Sequence, residues 1–156
     1  EDVLDLVRQA LFLQEVAHPQ VNFSLTASDD ALPVACDRHQ IGQALTNVLK
    51  NAVEAIEGKI NMAEPDYRGK IDVMLVASDD WITVEVEDNG VGLPQDSERI
   101  TEPYVTTREK GTGLGLAIVN KIVEEHGGEM HFSKATSGGT RVVMRLARDP
   151  LSKHEN

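Results

Sequence analysis

The sequence predicts an α/β domain, on three observations. Segments with apolar residues at helical spacing take turns with segments in which apolar and polar residues alternate, as in half-buried strands. At 156 residues the chain is most simply one domain, long enough for a real core. Hydrophobic residues make up 40% and charged residues 26%, an ordinary globular balance; with so few aromatics the core must rest on Leu, Ile, Val and Ala.

Each element has a local reason. Residues 2–16 (DVLDLVRQALFLQEV) carry apolar positions at helical spacing, and His18-Pro19 stops them. VNFSLTA (21–27) alternates as a strand, and Asp29-Asp30 mark a turn before a short LPVAC strand. Asp37 is a good N-cap for a long helix to about Ile56. Residues 57–69 read as a polar loop, and IDVMLVAS (71–78) with WITVEVED (81–88) form a hairpin around Asp79-Asp80. Residues 89–112 lack periodicity, and a loop of that length in a compact domain is usually functional. A second strong helix covers 114–126 and ends at Gly127-Gly128. EMHFSKA and TRVVMRLA form a second hairpin around Ser137-Gly138-Gly139, and DPLSKHEN reads as a frayed tail.

The formal net charge of −11 argues against a nucleic-acid surface and against an anionic membrane surface. Cys36 is the only cysteine, so no internal disulfide forms, which fits a reducing compartment. No apolar run approaches the ~20 residues that span a bilayer, and no signal peptide is visible. A chain starting at Glu1 reads as a piece of something longer.

Three stretches carry chemistry. REKGTGLGLAIV (108–119) places glycines before a helix, where backbone N–H groups and the helix dipole favour an anion. It is not the dinucleotide fingerprint, which needs Gly where Leu116 stands. Nor is there a P-loop, since Gly58-Lys59 and Gly69-Lys70 are both followed by Ile and lack the earlier Gly. On the long helix, Ile41, Ala44, Leu45, Val48, Leu49, Ala52, Val53, Ala55 and Ile56 form an apolar face. Gln40, Gln43, Asn47, Asn51 and Glu54 border it as a polar stripe. The stripe is either a solvated face or a ligand surface. Asn is a poor mid-helix residue, and Asn47 and Asn51 project together one turn apart, offering two amide oxygens of the kind Mg²⁺ shares with phosphates. In VEVEDNGVGLP (84–94), Asp-Asn-Gly makes turns. A strand-end carboxylate beside two glycines can also accept from the exocyclic amine of an adenine.

The order Asn47-x-x-x-Asn51-Ala52, Asp88-x-Gly90-x-Gly92, Gly111-Thr112-Gly113-Leu114-Gly115 and Gly138-Gly139-Thr140 resembles the ATP-binding catalytic domain of sensor histidine kinases. These match that family's N, G1 and G2 boxes and its final Gly-Gly-Thr; Pro103-Tyr104 stands where its F box has Phe more often than Tyr. The resemblance covers residues 1–147. PYVTTREKGTGLGLAIV with IVEEHGG looks closest to nitrogen-regulation kinases of the NtrY and NtrB kind. It implies a two-layer α/β sandwich of the Bergerat type, shared with gyrase, Hsp90 and MutL, in which three helices face a mixed, mainly antiparallel sheet. Residues 93–112 would be the ATP lid and 148–156 a flexible tail.

Residue by residue, the resemblance implies that Asn51 binds Mg²⁺, with Asn47 supporting the ion or the phosphates. Asp88 would accept from the adenine amino group, Thr140 would hold that carboxylate and its water, and Gly90 and Gly92 would border the base, with Tyr104 nearby in the lid. Gly111, Gly113 and Gly115 would line the triphosphate, Thr112 and Leu114 would offer N–H groups, and Arg108 and Lys110 would neutralise charge. Asn47, Asn51 and Lys110 would be the catalytic set of an ATP-dependent protein histidine kinase. Glu54 departs from the pattern, since many such kinases carry a basic residue there. Asn47 stands where gyrase-like ATPases have a water-activating Glu; an amide is no general base, so ATP should be hydrolysed poorly. None of the five histidines is a convincing phosphoacceptor, and His126 reads as a helix-end dipole partner or packing residue. The acceptor would therefore lie on a separate dimerisation domain of a homodimeric, inner-membrane-anchored parent that signals to a response regulator, while this part is cytoplasmic and monomeric. An anti-sigma-type serine kinase and a non-enzymatic ATP-sensing or docking module are the alternatives.

Overall fold

The computed structural model describes residues 1–28, 34, 36–60, 66–91, 113–136 and 138–148. Three helices and five strands follow in the order α1 (Val3–Ala17), β1 (Asn22–Ala27), α2 (Arg38–Ile60), β2 (Lys70–Ala77), β3 (Trp81–Asp88), α3 (Gly113–Glu125), β4 (Glu129–Lys134) and β5 (Thr140–Ala147). The strands form one sheet in the order β1-β2-β3-β5-β4, with β1 and β2 parallel and the other neighbours antiparallel. The mixed, mainly antiparallel sheet and its three helices are as the sequence predicts.

Local chemistry sets the helix ends. Asp2 Oδ1 accepts from Leu4 N at 3.0 Å to cap α1, and Asp37 Oδ1 accepts from His39 N and Gln40 N to cap α2. The expected apolar face of α2 is buried along its whole length, but α2 runs to Ile60, a turn past the expected end. That turn is polar apart from Ile60, so periodicity gave no sign of it; a Cβ on Gly58 would stand 3.2 Å from Val91 Cγ1. The LPVAC strand is not borne out at its described residues: Val34 and Cys36 lie outside any strand. Val34 instead exchanges two main-chain bonds with Glu1. Cys36 is half-buried, and burial pushes its thiol up.

The inner sheet face (Ile71, Val73, Leu75, Ile82, Val84, Val86, Val142, Met144, Leu146) packs under α1, α2 and α3. Its outer face carries polar side chains: Arg145 bonds Glu129 at 2.8 Å and stacks over Trp81, and Arg141 bonds Glu85 at 2.7 Å. No helix of the described residues is long and apolar enough to cross a membrane.

α3 ends in a Schellman motif: Gly127, at φ 74°, donates to Glu124 O and Gly128 donates to Val123 O. His126, in the cap, does not act as a cation on the helix dipole. Its Nε2 accepts from Asp37 N at 3.1 Å and its Nδ1 donates to Ile122 O at 2.7 Å, so the ring is the neutral Nδ1–H tautomer. Arg148, the first residue of the expected tail, bonds Asp80 O and Ser78 O at the β2–β3 turn.

Candidate functional site

The burial alternation of β3 places Asp88 on the same side as Ile82, Val84 and Val86, so its carboxylate faces inward and is only 5% exposed. A charge there needs hydrogen bonds. Asp88 Oδ1 accepts from Gly90 N at 2.8 Å and faces Thr140 N at 3.4 Å. The second contact crosses the sheet from the start of β5, which Gly139 brings close. A Cβ on Gly139 would stand 2.0 Å from Asp88 O and 2.7 Å from its Oδ1. Thr140 is 4% exposed, and its hydroxyl oxygen is buried with no hydrogen-bond partner among the described residues.

The turn after Asp88 is fastened to α2. Val91 N donates to Ala55 O at 3.1 Å, and a Cβ on Gly90 would lie 2.5 Å from the carbonyl carbon of Ala55. Gly90 is thus required by a close helix approach, a reason separate from the expected border to the base. This contact comes one turn past Asn51 on α2. Asn47 and Asn51 are both half-buried beside the apolar face, as the stripe predicts. Glu54, next on that stripe, is half-buried with its Oε2 sealed from solvent.

Asn89 was read in the sequence only as a turn former. Its Oδ1 accepts from Lys70 N at 2.8 Å and from the Tyr67 hydroxyl, and its Nδ2 donates to Arg68 O at 2.8 Å. It pins the Asp88 turn to the segment entering β2. The role of Gly139 was equally hidden, since a Gly-Gly-Thr triplet does not say what lies across the sheet. Of the expected site, the structure brings together Asp88, Gly90 and Thr140, with Asn47 and Asn51 on the helix that the Asp88 turn touches. Gly113, Leu114 and Gly115 form the first turn of α3. Gly92, Tyr104, Arg108, Lys110, Gly111 and Thr112 lie outside the described residues.

A groove of about 870 Å³ lies between α1 and α2, lined by Leu6, Ala10, Leu13, Gly42 and Gln43, and it reaches the site at Asn47 alone. Asp88, Gly90 and Thr140 do not line this groove. Among the described residues, no three His, Cys, Asp or Glu side chains group as a metal site. The neutral oxygens of Asn47 and Asn51 fit a hard cation that shares its other ligands with phosphates.

The profile of the histidine kinase-, DNA gyrase B- and HSP90-like ATPases matches residues 36–150. Nitrogen regulation protein NtrY of Azorhizobium caulinodans is 48% identical over 141 residues, which is 88% of this chain and 18% of its own length. A putative NtrY-like sensor histidine kinase of Rickettsia prowazekii is 40% identical over 93% of this chain and 23% of its own length. The chain thus spans about a fifth of the length of these curated relatives. Among solved structures, the catalytic domain of histidine kinase ThkA superposes with a TM-score of 0.77 at 30% identity, covering 95% of both chains. Full-length ShkA does so with a TM-score of 0.76 at 28% identity, over 94% of this chain and 30% of its own. On the profile match and the shared fold, the chain belongs to the histidine kinase-, DNA gyrase B- and HSP90-like ATPase family.

Proposed function

We propose that this domain binds ATP with Mg²⁺ and presents the γ-phosphoryl group to a histidine on the dimerisation domain of its parent, in nitrogen-related two-component signalling. The supporting observation is the buried carboxylate of Asp88, oriented by main-chain N–H groups beside a Thr140 hydroxyl that has no partner among the described residues. A buried acceptor next to an unpaired hydroxyl suits the exocyclic amine of adenine and one water. The ShkA structure holds AMPPNP, and the fold shared with it supports a nucleotide here.

Asp88 would select the base, and Gly90 would hold the turn on α2 so that base and phosphates meet one surface. Asn51, with Asn47, would hold Mg²⁺, which supplies charge neutralisation on the phosphates when bound. Leu114 N and the glycines around it would cradle phosphate oxygens at the start of α3, and Arg108 and Lys110 would add positive charge. The amides of Asn47 and Asn51 cannot take a proton from water, which preserves the phosphoryl group for an imidazole. Phosphoryl transfer asks the protein mainly for positioning and charge, and this residue set offers both. ThkA has been solved in complex with the response regulator protein TrrA, which supports a response regulator as the downstream partner of the parent. On this reading the domain works in the cytoplasm as a monomeric part of a homodimeric, inner-membrane kinase.

The test mixes the domain, Mg²⁺ and γ-labelled ATP with the dimerisation domain of its parent. Acid-labile, alkali-stable label on that partner is expected. Asp88→Asn should weaken ATP binding by about 10- to 100-fold, the worth of a hydrogen bond to a charged group, and Asn51→Ala should abolish Mg²⁺-dependent labelling. Wild-type labelling with no acid-labile product would overturn the proposal.

A further inference from the structure

We infer that His126 is a positioning residue: it fixes the register of α3 on α2, and so sets where the first turn of α3, from Gly113 to Gly115, stands along α2 relative to Asn47 and Asn51. The inference rests on the proposed reading that this first turn and the asparagines hold the same phosphates.

His126 is 7% exposed, and both its ring nitrogens are bonded. Nδ1 donates to Ile122 O in its own helix, which orients the ring, and Nε2 accepts from Asp37 N at the N-cap of α2. The last turn of α3 is thereby tied to the first turn of α2. The two helices also pack against each other. Because α2 starts at Arg38, a helix whose end sits at Asp37 keeps that packing only by running antiparallel beside it. α3 has 13 residues, about 20 Å at 1.5 Å per residue. Counting back from Asp37 brings Gly113 alongside α2 near Lys50, between Asn47 and Asn51. A slip of one turn at the His126 end would carry the first turn of α3 about 5 Å along the asparagine stripe.

The same end is locked to the sheet. A Cβ on Gly128 would stand 1.7 Å from Arg145 O, so the turn after His126 lies directly on β5. A stiff helix held at one end by β5 and α2 places its other end by length alone. That end is the one expected to meet phosphate.

The test compares wild type with His126→Leu and His126→Gln. The glutamine amide can donate to Ile122 O and accept from Asp37 N; leucine can do neither. With Cys36→Ser as background, spin labels at the exposed positions Lys50 and Lys121 report register with no nucleotide present. The distance distribution is expected to shift or broaden by several Å in His126→Leu and to return in His126→Gln. By calorimetry, His126→Leu should lose about tenfold or more in ATP·Mg²⁺ affinity through misplacement while adenosine affinity stays at the wild-type level, and His126→Gln should recover ATP. An unshifted spin-label distance in folded His126→Leu overturns the pin, as does an equal loss of adenosine and ATP. A wild type that binds neither ligand defeats the proposed function and leaves the distance comparison to decide the pin. If the leucine variant does not fold, His126→Asn, which reaches Ile122 O but is too short for Asp37, takes its place with the same criteria.

Discussion

Two regions of the molecule bury a polar side chain against a glycine-tight turn, and they finish its hydrogen bonds differently. At the end of α3, His126 bonds through both ring nitrogens, and Gly128 presses on β5. At the end of β3, Gly139 presses on Asp88, and the Thr140 hydroxyl has no partner among the described residues. Buried polar groups are nearly always hydrogen-bonded. A group that completes its bonds inside the fold serves the fold, and one that keeps a bond in reserve beside an oriented carboxylate is, on the proposed reading, arranged for a ligand. Gln14 Oε1 on α1 is also buried with no partner among the described residues.

The largest effects should come from the glycines that make the two turns possible. Gly128→Ala puts a methyl 1.7 Å from Arg145 O, and a backbone-facing clash of this kind should cost on the order of 3 kcal/mol. Thermal melting reads that loss, while adenosine affinity per folded molecule should hold. Gly139→Ala puts its methyl 2.0 Å from Asp88 O. It should lose a similar order of stability, about 2–3 kcal/mol, and lose nucleotide binding as well. If both variants bind equally well once folded, the contrast between the two regions fails.

A smaller effect is expected from Thr140→Val, which keeps the shape and removes the hydroxyl. Losing one hydrogen bond should lower ATP affinity about 5- to 10-fold, near 1 kcal/mol. The melting temperature should stay level or rise, because an unpaired buried hydroxyl is removed. A clear fall in melting temperature without a change in affinity would assign the hydroxyl to the fold.

The smallest effect belongs to the solvent-exposed outer sheet face. There Arg145, hydrogen-bonded to Glu129, holds that carboxyl below its ordinary range, with His131 assisting. A lowered folded-state pKa means the contribution is present above the unfolded value and fades as pH falls through the folded one. Melting temperature should therefore drop more steeply with acid in wild type than in Glu129→Gln below about pH 4.3. Superimposable curves would show that this exposed pair contributes nothing measurable.

The sequence by itself determined every element whose residues carry a strong period. The apolar positions assigned to α2 are those found buried, because a helix with one greasy face has one way to bury it. Strand alternation fixed which face of β3 turns inward, and so that Asp88 is buried. The glycine and asparagine motifs named the candidate site because phosphate, adenine and a hard cation each demand particular residue types at short spacing. Tertiary structure alone decided the rest. That Gly139 lies on Asp88, that Asn89 holds the entry to β2, and that His126 reaches Asp37 are contacts between residues 19 to 89 positions apart. The last polar turn of α2 likewise follows from packing, with Gly58 against Val91. Periodicity records which side of an element meets the core, a property of neighbours in sequence. Which side chain meets which across the fold depends on how the elements pack, and no local pattern encodes that.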